Sequence, residues 1–101
     1  MNQVSVEEFR ATMGDYLDRI YYRHEKFVVT RNGTPFVTVT PVLPGTNLER
    51  TEQTKAKDFR IRTSEVLGSV HFQEKELLIM RRGKPTALVS SLRQTAPGVT
   101  L

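Results

Sequence analysis

Apolar residues recur at two periods along this chain, and each period occurs twice. Phe9, Met13, Tyr16, Leu17 and Ile20 follow the three-and-four spacing of one buried helical face, with Glu7, Glu8, Arg10, Asp15, Asp18 and Arg19 on the wet side. A short alternating strand, Val4-Ser5-Val6, precedes this helix, and Ser5 with Glu8 forms a Ser-x-x-Glu capping box at its start. Gly14 interrupts the periodic stretch at about 1 kcal/mol relative to alanine, which marks either a bend or a split into two helices. Phe27-Val28-Val29-Thr30 and Phe36-Val37-Thr38-Val39-Thr40 are β-branched and aromatic throughout and predict strands. Between them lies Arg31-Asn32-Gly33-Thr34-Pro35, whose Asn-Gly pair readily takes the positive φ angles of a tight hairpin.

Fifty positions later the pattern returns, with Arg81-Arg82-Gly83-Lys84-Pro85 between Leu77-Leu78-Ile79-Met80 and Ala87-Leu88-Val89. This turn keeps only the glycine of the Asn-Gly pair. Proline, with fixed φ and no amide donor, should open each returning strand or lie at an edge. At the same offset, without a gap, Phe9-Arg10 falls on Phe59-Arg60, Leu17 on Leu67, Ile20 on Val70 and Val39 on Val89. The chain therefore reads as one helix-then-hairpin module written twice.

Residues 1–42 form the first module and residues 58–92 a shortened, more basic second one. Residues 43–57 read as a polar linker, because Pro44-Gly45-Thr46-Asn47 is a turn and Glu49 to Lys57 holds no apolar residue but Ala56. In the second module Phe59-Arg60-Ile61-Arg62 alternates as a strand does, and Thr63 or Ser64 caps a helix carrying Val66, Leu67 and Val70. Two alignments stay open: Phe59-Arg60 in the role of Phe9-Arg10, or Phe59-Arg60-Ile61 in that of Val4-Ser5-Val6. Residues 93–101, with Pro97-Gly98, read as a frayed tail.

Length narrows the architecture. Half of 101 residues buries too little apolar surface to be stable alone, so the modules must share a core, within one chain as a pseudo-dimer or between two chains. Without cysteine, and with His24 and His71 far from any ligand spacing, neither a metal nor another cofactor is expected. No leader and no apolar run of bilayer length appears, which predicts a cytoplasmic protein without membrane contact. Glu7, Glu8, Asp15 and Asp18 complement a helix dipole, and no phosphate loop or nucleophile with its base accompanies them, so the chain does not read as an enzyme. Tyr21 and Tyr22, beside an apolar helical face, read as core or interface residues.

Charge adds the one functional pointer. The net charge is +4, yet residues 1–50 carry six Lys/Arg against six Asp/Glu, while residues 51–101 carry nine against five. That excess lies at Lys55, Lys57, Arg60, Arg62, Arg81, Arg82 and Lys84, and a cationic surface of this kind attracts polyanions. The candidate DNA-binding residues are Arg10, Arg31, Arg60, Arg62, Arg81, Arg82 and Lys84, with Arg81, Arg82 and Lys84 as phosphate contacts. Each also has a plainer reading. Hairpin charges blunt sheet edges, Arg10 pairs with Glu7 one turn earlier, and Arg60 and Arg62 line an exposed strand face.

The segments Val4-Ser5-Val6-Glu7-Glu8-Phe9-Arg10, Tyr16-Leu17-Asp18-Arg19-Ile20 and Phe27-Val28-Val29-Thr30-Arg31-Asn32-Gly33-Thr34-Pro35 resemble the N-terminal domain of the Phd/YefM antitoxin family. The resemblance covers residues 2–42 well and residues 58–92 more weakly. It implies an α+β domain, a small antiparallel sheet with helices packed on one face, that dimerises, binds double-stranded operator DNA and represses a toxin–antitoxin operon. It further implies that Arg10 and Arg31 fall where such antitoxins present basic residues to DNA. Family members usually continue from the hairpin into another helix and an acidic, toxin-wrapping segment, whereas this chain runs into a linker and a second module. The rival expectation is a protein-interaction or toxin-capping module of the same fold without DNA binding.

Overall fold

The computed structural model describes residues 2–49 and 51–92; the tail expected at residues 93–101 lies outside them. The first half runs from Asn2–Ser5 (β1) through Val6–Ala11 (α1) and Met13–Arg23 (α2) to the hairpin of Phe27–Arg31 (β2) and Thr34–Thr40 (β3). The second half repeats that order as Glu52–Lys55 (β4), Ala56–Ile61 (α3), Thr63–Gln73 (α4), Glu76–Arg81 (β5) and Lys84–Ser91 (β6).

The expected Ser5 cap is present, its hydroxyl oxygen accepting from the Glu8 amide at 3.1 Å. Glu8 does not complete the box. Its carboxylate accepts instead from the Tyr16 hydroxyl. The helical stretch does split, but at Thr12 rather than Gly14, where φ −125° and ψ 39° end one helix and begin the next. His24 closes α2 in the left-handed region, as Glu74 closes α4.

All six strands form one sheet in the order β1-β2-β3-β6-β5-β4. The small antiparallel sheet that the family resemblance implies is corrected to a mixed one, because β1 pairs with β2, and β4 with β5, in parallel. Two helices separate each of these edge strands from its neighbour, and such a crossover returns the chain in the same direction. At the centre β3 and β6 are antiparallel and Val39 faces Val89. The strand order thus reads the same from either edge, with residues fifty apart opposed at its middle.

Alternate strand residues, Phe27, Val29, Val37, Val39, Leu77, Ile79, Ala87 and Val89, share one buried cluster with Phe9, Met13, Leu17, Ile20, Phe59, Leu67 and Val70 of the helices. That single core takes side chains from both halves, as the chain length requires. Phe59 settles the open alignment. It lies inside α3, fully buried, with its ring 6.2 Å from that of Phe9. The strand expected at Phe59-Arg60-Ile61-Arg62 is therefore corrected to a helix, and Ile61 points outward, 71% exposed. Thr63 does not cap α4 either: its hydroxyl donates back to the carbonyl of Phe59.

Residues 52–57, read as the end of a linker, form β4 and the start of α3. β4 is held by parallel pairing to β5 and by an ion pair from Lys75 to Glu52 at 2.7 Å. Since β3 lies third and β4 sixth in the sheet, the connection between them passes β6 and β5.

Candidate functional site

Both hairpin turns put two consecutive residues at positive φ, Asn32 (52°) with Gly33 (79°) and Arg82 (55°) with Gly83 (76°). These are the angles that match the twist of the flanking strands. Arg82 adopts them although arginine bears the steric cost that asparagine largely escapes. The two prolines sit just past the turns, Pro35 opposite Thr30 and Pro85 opposite Met80, each next to a register shift. There the missing amide breaks no regular ladder.

Arg31 and Arg81 end β2 and β5 at equivalent positions, yet their surroundings differ. Arg81 donates to the Asp18 carboxylate at 2.7 Å and reaches the Gly14 carbonyl at 3.4 Å. Fifty positions after Asp18 the chain has Gly68, and a β-carbon there would lie 3.9 Å from an Arg31 guanidinium nitrogen. With no carboxylate to meet, the Arg31 guanidinium lies over the Phe36 ring, 4.7 Å from its centre. Phe36 is fixed on its side by His71, whose ring stacks at 4.1 Å and whose Nδ1 meets the Phe36 carbonyl at 2.8 Å. In the second half Thr86 replaces Phe36, and Tyr21, Tyr22, Arg82 and Lys84 line an open cleft beside the Arg81–Asp18 pair.

Most of the other candidate basic residues fall into two groups. Arg10 and Arg60 are exposed in the last turns of α1 and α3, each next to one of the two phenylalanines that touch in the core. Among the described residues neither has an ion-pair partner, so the expected Arg10–Glu7 pair is not formed. Lys55, Lys57 and Arg82 line a cleft with Met80 at the end of β4 and β5. Ser5, Glu7 and Asn32 stand at the corresponding positions of the first half, which carries no such concentration of charge. Arg62 is exposed between α3 and α4, apart from both groups, in a cleft with Asp58 and Val66.

The sequence shows the arginines as charges but not Asp18 as the partner of Arg81 or Phe36 as the platform of Arg31. The one signal available was the mismatch of Asp18 with Gly68 at an otherwise matched offset. Groups whose titration is shifted lie away from these clefts: Tyr16 is raised by its hydrogen bond to Glu8 and by burial, and Arg19 by its hydrogen bond to Glu25. Among the described residues no cluster of side chains suits a metal ion, and no helix is long and apolar enough to cross a membrane. No family model, no curated protein and no solved structure matches the chain.

Proposed function

We propose that this protein is a DNA-binding regulator of antitoxin type, a duplicated Phd/YefM-like module in which the two halves of one cytoplasmic chain do the work of two subunits. The observation that carries this reading is the matched pair Arg10 and Arg60, exposed, without ion-pair partners and each following one of the two phenylalanines that meet in the core. Two like cations at equivalent positions of a twofold-like body suit the two half-sites of an operator. Lys55, Lys57, Arg82 and Lys84 add phosphate contacts on one side, which favours an asymmetric site over a palindrome.

The test is fluorescence anisotropy with a labelled duplex from the DNA upstream of the protein's own gene and a scrambled duplex, each at two salt concentrations. Tighter binding to the upstream duplex, weakening steeply with salt, is the expected result. Arg10→Ala and Arg60→Ala should lose preference between the duplexes, and Arg82→Ala should weaken binding to both alike. Absence of binding to either duplex at low salt excludes the reading and leaves the protein-interaction module as the function to pursue.

A further inference from the structure

The arginines that end β2 and β5 differ in what holds them, and the difference decides what each can offer a ligand. A guanidinium laid on an aromatic ring keeps its full charge and the N–H groups at its edge. One bonded to a carboxylate has its charge offset and part of its donor set occupied. Arg31 is in the first state, over Phe36, and Arg81 in the second, against Asp18. The positions match at an offset of fifty, so the carboxylate itself, present at Asp18 and absent at Gly68, sets the two apart.

We propose that Asp18 is a specificity-determining residue that holds Arg81 out of contact with DNA, so that of the equivalent arginines ending β2 and β5 only Arg31 donates to it. This rests on the DNA-binding reading above. Arg81 is then a positioning residue that ties α2 of the first half to the hairpin of the second. The body would approach DNA with Arg31 on one side and the phosphate-contacting Arg82 and Lys84, without Arg81, on the other.

The experiment exchanges the carboxylate between the halves. Asp18→Asn removes it with little change of shape. Gly68→Asp installs it beside Arg31, where the β-carbon meets nothing closer than 3.9 Å. Asp15→Asn, which removes the same charge from the same helix, is the control, and a thermal melt of each variant establishes that it is folded.

In anisotropy titrations with the upstream duplex, Arg31→Ala and Gly68→Asp should each lose roughly tenfold in affinity. Arg81→Ala should lose less than about twofold in the wild-type background. Asp18→Asn should gain about fivefold and steepen the salt slope by about 0.9, the signature of one added phosphate contact. Arg81→Ala in the Asp18→Asn background should abolish that gain, and Asp15→Asn should change affinity by less than about twofold.

Two failures are separable. If the wild-type protein binds no DNA at low salt, the DNA-binding reading falls and this proposal with it. If it binds, but Arg81→Ala costs as much as Arg31→Ala, or Asp18→Asn gains no more than Asp15→Asn, the asymmetry is overturned and DNA binding stands.

Discussion

The rings of Phe9 and Phe59 meet edge to face, 6.2 Å apart at an interplanar angle of 69°, and each comes from the first helix of its own half. Both are fully buried, so each ring completes the other half's core as well as its own. Replacing either by alanine should cost about 3–5 kcal/mol, a large part of the stability of a domain this size. Urea unfolding followed by circular dichroism should show one shared transition moving to lower denaturant. Two separate transitions would mean that the halves do not share a core.

A fragment of residues 1–49 should have no stable monomeric fold. It would leave the inner edge of β3 unpaired and Phe9 without its partner ring. Exposed edges of this kind seek a second chain. Sedimentation equilibrium should find the fragment either unfolded or dimeric, the dimer forming through β3 as β3 now pairs with β6. A folded monomer would contradict the shared core.

Arg82 supports a positive φ of 55° where the first hairpin has Asn32 at 52°. Arg82→Asn should therefore stabilise the protein by about 0.5–1 kcal/mol, since asparagine accepts the left-handed region with little steric cost. Asn32→Arg should destabilise by a similar amount. Thermal melts of the two variants check the pair, and shifts of the same sign would exclude turn strain as the cause.

Tyr16 gives the protein an alkaline limit. Its phenol is raised above the ordinary 10.0 by the hydrogen bond to Glu8 and by burial. The folded state then holds this proton more tightly than the unfolded chain. The contribution is complete below about pH 10 and is lost as pH rises through the folded-state value. Tyr16→Phe should be less stable at neutral pH by about 0.5–1.5 kcal/mol and fall less steeply above pH 10. Urea midpoints at about pH 8 and about pH 11 measure both effects, and parallel falls in the two proteins would remove Tyr16 as the cause.

The fold was legible where burial imposed a period and hidden where pairing alone decided. Helix α2 and both hairpins showed in the sequence because their apolar residues reach the core at regular spacing, and Asn32-Gly33 announced its turn. β4 did not show. Glu52-Gln53-Thr54-Lys55 holds no fully buried residue, and its strand conformation comes from backbone bonds to β5, whose residues lie more than twenty positions away. α3 misled because Phe59-Arg60-Ile61-Arg62 alternates; the helix buries Phe59 in the shared core beside Phe9 and leaves Ile61 in solvent. The candidate site divides the same way. Its arginines are visible as charges, whereas Asp18 and Arg81 are 63 positions apart and only the sheet brings them together.

The pairing of Val39 with Val89 joins the halves within one polypeptide, and this has a consequence for dosage. A repressor assembled from two separate chains dilutes into inactive monomers, so its occupancy of a target falls with the square of its concentration at low copy number. Tethered halves have an effective concentration in the millimolar range for short linkers and stay together at any dilution. On the DNA-binding reading proposed above, a target that needs both halves is then occupied in simple proportion to the number of molecules, from the first copy made.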